Sequence, residues 1–168
     1  FSTYDYLDLN GDPRIEKAAS EALHRWGTSA SASRLVAGER PPHRTLETAL
    51  AALYDAEDCV AYVSGHATNV STIAKLFGPR DLILHDQLSH NSIVVGAQAS
   101  GAKRLAFPHN DMAALEKLLG QHRSSAERCL IVTEGVFSMD GNVADLPALV
   151  RLKKQYGAFL MVDEAHAL

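Results

Sequence analysis

Asp163 and His166 stand three residues apart in Val162-Asp163-Glu164-Ala165-His166, directly after the apolar run Phe159-Leu160-Met161-Val162. A carboxylate at the tip of a buried strand is costly unless paired, so Asp163 predicts a cationic partner. Thr133, Glu134 and Ser138 follow a second such run, Cys129-Leu130-Ile131-Val132. These polar residues therefore fall at or just past the carboxyl ends of strands, the edge at which open α/β sheets bind ligands. Ser64-Gly65-His66-Ala67-Thr68-Asn69 follows an apolar run and opens a helix. Backbone N–H groups and the positive end of the helix dipole make an anion site there, and Gly65 allows close approach. The chain has neither G-x-x-x-x-G-K-[S/T] nor G-x-G-x-x-G, which favours a small phosphate ligand over a nucleotide. His90 follows the word Asp86-Gln87-Leu88-Ser89. Its five-residue step from His85, with no cysteine nearby, does not suit zinc, and no metal site is expected. Glu134 reads as a carboxylate satisfied by nearby backbone; Ser138 also suits a turn cap.

Elements to position these groups follow from the pattern. Asp12-Pro13 is a helix start and Gly27 a stop, with Ile15, Ala18, Ala19, Ala22, Leu23 and Trp26 on one face. A loop of small residues, 28–33, leads through Arg34 and Gly38 to Pro41-Pro42; its residues are small enough for backbone to approach a ligand or another subunit closely, and a flexible surface loop fits them equally well. A second helix over 43–54 should bury Leu46, Ala49, Leu50 and Leu53. Strand and helix then alternate: 59–63 and 68–77, 82–84 and 89–99, 103–107 and 111–119, 129–133 and 145–156, then a strand over 158–162. Such alternation predicts an α/β fold, a mostly parallel sheet with helices on both faces.

Composition narrows the function classes. The 168 residues suit one domain able to bury a core, and 46% hydrophobic with 21% charged residues is ordinary for a globular protein. A net charge of -4 supplies no basic footprint, so neither nucleic acid nor an anionic membrane is an expected partner. No apolar run reaches membrane-spanning length. Cys59 and Cys129 lie inside apolar runs without ligand spacing and read as reduced core thiols, which points to the cytoplasm.

Three words carry a resemblance: Thr133-Glu134-Gly135-Val136-Phe137-Ser138-Met139-Asp140-Gly141, Val162-Asp163-Glu164-Ala165-His166, and Asp86-Gln87-Leu88-Ser89-His90-Asn91-Ser92. Together they resemble the signatures of the α-oxoamine synthases, fold-type I pyridoxal-phosphate enzymes with an aspartate-aminotransferase-like large domain. The resemblance runs essentially end to end. It implies pyridoxal 5′-phosphate as cofactor and condensation of an amino acid with an acyl-CoA or acyl-carrier-protein thioester, with loss of CO₂, to an α-amino ketone. It makes His90, Asp163 and His166 the catalytic residues. Asp163 would keep the pyridinium nitrogen protonated, so that the ring accepts electrons. His90 would stack on the ring, and His166 with Ser138 would reach its phenolic oxygen. Ser64, Gly65 and His66 would hold the phosphate. A homodimer is implied as well.

The same resemblance divides the chain into a leading segment, 1–42, and part of the large domain, 43–168, without the C-terminal small domain. It also places the Schiff-base lysine downstream of the Asp-x-x-His word, after which the sequence stops. Lys17, Lys75, Lys103, Lys117, Lys153 and Lys154 read as solvated surface residues, so this polypeptide alone is expected to be inactive. Three positions depart from the family pattern: His66 stands where Phe or Tyr is usual, and Asp5 and Asp8, in Asp5-Tyr6-Leu7-Asp8, stand where Asn-Tyr-Leu-Gly is frequent. Val-Asp-Glu-Ala-His is also a helicase word, but that reading needs an upstream Gly-Lys pair, and the chain has none. Another reaction on the same fold (an aminotransferase or aldol-type lyase) and a non-catalytic cofactor-binding or interaction domain stay open.

Overall fold

The computed structural model describes residues 3–167, in two compact units that divide between Ala61 and Tyr62.

The second unit is built on a sheet of four parallel strands in the order β2-β1-β3-β4. These are β1 (Leu82–Asp86), β2 (Lys103–Phe107), β3 (Cys129–Glu134) and β4 (Phe159–Asp163). Parallel neighbours need crossover connections, supplied by α4 (Asn91–Ser100), α5 (Met112–His122) and α6 (Leu146–Tyr156), while α3 (Gly65–Leu76) precedes β1. Every residue of the central strands β1 and β3 is buried, because both faces of the sheet are covered. Side chains alternate across a strand. Leu82, Leu84, Cys129 and Ile131 accordingly meet Leu115 and Leu119 of α5 with Leu149 and Leu152 of α6. Ile83, Leu130 and Val132 face the other way, onto Ile73 of α3 and Ile93 of α4. Register aligns Thr133 with Val162 and Glu134 with Asp163, so β3 and β4 end side by side. The expected α/β architecture is thus the observed one, with boundaries moved by a few residues. Cys129 is a core thiol pushed up to about 11 by burial; Cys59 is half-buried.

Two glycines set spacings that matter below. A Cβ on Gly96 of α4 would lie 2.9 Å from the Asn69 carbonyl oxygen and 3.1 Å from Val70 Cα, so α3 and α4 touch along backbone. A Cβ on Gly135 would lie 2.9 Å from Ala167 Cβ, so the turn after β4 can fold over the end of β3.

The first unit differs from expectation. Helix α1 (Pro13–Trp26) starts and stops as the sequence predicts, at Asp12 and Gly27, but it buries no residue. Ile15 and Leu23 are about half exposed, and in α2 (Pro41–Leu53) Leu46 and Leu53 are exposed too. Pro41 and Pro42 lie inside the first turn of α2, where a missing N–H costs nothing. The buried side chain of α2 is instead Glu47. Arg34, in a π-turn over Arg34–Gly38, spans Glu39 and Glu47, and Glu47 also accepts the Ala61 N–H at 2.8 Å. Residues 59–63 form no strand. An extended segment becomes one only when a neighbour takes its N–H and C=O groups. Here Glu47 and Arg34 take those of Ala61, and Val63 is almost wholly exposed.

Candidate active site

At the carboxyl ends of β3 and β4, beside the N-termini of α3 and α4, lies a cavity of about 100 Å³. Gly65, His66, His90, Asp163 and His166 line it together, although they span a hundred residues of sequence. Ser64 is adjacent but occupied: as N-cap of α3 its hydroxyl oxygen accepts from Ala67 N–H at 3.1 Å. That leaves the Gly65 and His66 N–H groups, which have no intrahelical acceptor, for something outside the helix. A Cβ on Gly65 would meet open space, so the chain itself makes no demand for glycine there. Ser138 sits in an exposed turn after β3 and is not among the lining residues. A larger apolar cavity of about 350 Å³, between α3 and β4, has Arg128 as its one ionisable lining group and offers no acid–base pair.

Asp163 is half-buried. Its Oδ1 accepts from the Ala165 N–H at 3.0 Å and its Oδ2 from the Asn69 amide at 2.7 Å. Among the described residues no cation pairs with Asp163; two neutral donors hold its carboxylate. Asn69 can do this because it stands one helical turn after Gly65, on the same face of α3. Glu134 is buried beside it, and its carboxylate accepts the His90 backbone N–H at 2.5 Å. Burial pushes the Glu134 carboxyl above the usual range, and the charge of Asp163 pushes it further, against the opposing pull of the His90 N–H. The backbone-satisfied reading of Glu134 therefore holds.

His90 is the N-cap of α4. Its Nδ1 lies 2.7 Å from Ser92 Oγ and accepts from the Ser92 N–H at 3.2 Å, while the residue as a whole stays exposed. The His66 ring stands edge-on to it, centroids 6.4 Å apart. His85 points elsewhere, with Nδ1 on the Asp86 carbonyl and Nε2 on Arg104. Asn69 and Ser92 are the lining residues that the sequence reading did not single out. Their signals were local: the i,i+4 relation to Gly65, and the second helical position after an N-cap.

A parallel α/β sheet with a polar cavity at its carboxyl edge matches what comparison with known proteins finds. The chain belongs to the aminotransferase class I and II family, whose model matches residues 1–168. Within that family it is an α-oxoamine synthase sequence, a group whose cofactor is pyridoxal 5′-phosphate. It is 51% identical over 162 residues to the 8-amino-7-oxononanoate synthase of Geobacter sulfurreducens, covering 96% of this chain and 41% of that protein. It is 50% identical over 167 residues to a putative 8-amino-7-oxononanoate synthase of a Cyanothece species, covering 99% of this chain and 42% of that protein. Among solved structures, serine palmitoyltransferase of S. paucimobilis, with a bound PLP–myriocin aldimine, superposes with a TM-score of 0.95 at 34% identity. That match covers 99% of this chain and 42% of the other. The chain thus spans about two fifths of the length of the relatives it matches.

Proposed function

We propose that the whole protein is a pyridoxal-phosphate-dependent acyltransferase. It would condense an amino acid with an acyl-CoA or acyl-carrier-protein thioester, with decarboxylation, to an α-amino ketone. The observation that carries this is Asp163, an anion at a strand tip held only by neutral donors among the described residues. Such a carboxylate is matched by a ligand that brings its own positive charge, as a protonated ring nitrogen does. The donor set fits the cofactor at its other end too, where the Gly65 and His66 N–H groups open α3 for a phosphate.

In this reading Asp163 keeps a proton on the ring nitrogen, and His90 covers one face of the ring. His166 and Ser138 are assigned to its phenolic oxygen, Ser138 from the turn after β3. When bound, pyridoxal 5′-phosphate supplies an electron sink for a carbanion at the amino-acid α-carbon. Ligand pockets enclose about 300–1,000 Å³, so the small cavity described is the floor of a site with further walls. None of the lysines lines it, and the acid–base lysine belongs with those walls. Residues 43–168 would belong to the cofactor-binding large domain and 1–42 would lead into it. A homodimer in the cytoplasm completes the proposal; among the described residues no helix is long and apolar enough to cross a membrane.

The test is product analysis. Full-length protein loaded with cofactor is offered amino acids with acyl thioesters, and thiol and CO₂ release are followed together. Release of both, dependent on both substrates, is expected. Amino-group transfer or aldol cleavage without thiol release would instead establish a different reaction on this fold.

A further inference from the structure

Asn69 and Ser92 are almost fully enclosed, at 6% and 0% exposure. The Asn69 amide nitrogen lies 2.7 Å from Asp163 Oδ2 and 2.9 Å from Ser92 Oγ. An ionised carboxylate only accepts, so one amide hydrogen goes to Asp163 and the other to Ser92. Ser92 Oγ is thereby an acceptor towards Asn69, and its own proton is directed at His90 Nδ1, 2.7 Å away. The Ser92 backbone N–H converges on the same nitrogen. Two donors aimed at Nδ1 make it the unprotonated nitrogen, which places the proton of the neutral ring on Nε2.

We infer that Asn69 is a positioning residue: one amide group orients the carboxylate of Asp163 and, through Ser92, sets the tautomer of His90. The backbone contact at Gly96 holds α3 close enough to α4 for this relay to form. Its use rests on the cofactor reading above. Asp163 is then held by a neutral donor that does not cancel its charge, while His90 presents a donor, not an acceptor, on the nitrogen not tied to Ser92.

The relay can be read without cofactor. Long-range ¹H–¹⁵N correlation of the histidine rings of the labelled chain should show His90 as Nε2–H alone. Asn69→Ala should introduce an Nδ1–H population, although Asn69 is not bonded to the ring, because the Ser92 hydroxyl can then turn and accept. Ser92→Ala should do the same, and Ser92→Thr, which keeps the hydroxyl, should restore the single tautomer. An Nδ1–H ring in the unaltered chain, a measurement needing no variant, would overturn the inference. So would a folded Asn69→Ala chain with an unchanged tautomer.

A second arm titrates full-length protein, unaltered or carrying Asn69→Ala, with 4-deoxypyridoxine 5′-phosphate, which carries the ring nitrogen and phosphate but no aldehyde. Asn69→Ala should bind it roughly tenfold more weakly, the scale of one hydrogen bond to a charged group. Equal binding by both chains would refute the orienting role towards Asp163. A locked tautomer with no binding to the unaltered full-length protein would support the relay and count against the cofactor reading, so the two failures are distinguishable.

Discussion

The two units of this chain use the same kind of sequence signal to opposite ends. In 62–167, apolar periodicity is spent on burial, and Ile83, Leu84, Ile131 and Leu149 are fully enclosed between sheet and helices. In the first unit, α1 carries an equally regular apolar face and buries nothing. The buried side chain of α2 there is Glu47, ion-paired to Arg34, which also reaches the exposed Glu39. Periodicity states which face of a helix is apolar; it does not state what covers that face. The chemistry follows the covered unit, where a two-sided core holds strand ends in register closely enough to place Asp163 beside Asn69.

The contrast is broken most directly at the core. Ile131→Ala should cost about 2–5 kcal/mol in urea unfolding, whereas Ile15→Ala or Leu23→Ala in α1 should change stability by no more than about 0.5 kcal/mol. Comparable losses in both units would remove the distinction. Gly96→Ala comes next. Its Cβ would meet the Asn69 carbonyl and Val70 Cα, both backbone, so about 1–3 kcal/mol should be lost and the Asn69–Asp163 bond disturbed with it.

Glu134→Gln should act in the other direction. Burial holds the Glu134 carboxyl above its ordinary 4.5, so the folded chain binds that proton more tightly than the unfolded one. The stability Glu134 contributes is present below pH 4.5 and is lost as pH rises through the raised value. Glutamine keeps an acceptor for the His90 N–H without the charge facing Asp163. At neutral pH the variant should melt roughly 2 °C higher, with the gain vanishing in acid. A gain that persisted below pH 4 would show that charge was not its cause.

The smallest effect belongs to the first unit. Arg34, then the Ala61 N–H, holds Glu47 down to about 2. Its contribution is therefore complete above pH 4.5 and lost as pH falls towards about 2. An acid titration of Glu47→Gln should lack that phase. An unchanged titration would leave the pair without energetic content.

Much of the second unit was legible in advance. Its central strands β1 and β3 open as continuous apolar runs because both faces are covered, and α3, α5 and α6 begin at Ser64, Asp111 and Asp145, whose side chains accept the capping N–H groups. Gly65, His66, His90, Asp163 and His166 were expected at one edge and line one cavity. Two expectations failed for one reason, that each depended on a partner the local sequence does not specify: residues 59–63 pair with no strand among the described residues, and the apolar faces of α1 and α2 stay largely exposed among them.

The amino-acid sequence by itself determined the alternation of strands and helices, the helix caps, and the words that place acid and imidazole groups at strand ends. These depend on residues within a few positions of one another, where propensity and periodicity act. Only the tertiary structure decided that Asn69, in α3, would join Asp163 to Ser92 across two other elements. Such a bond requires parallel register between β3 and β4 and a backbone contact at Gly96, and both arise from how the core closes.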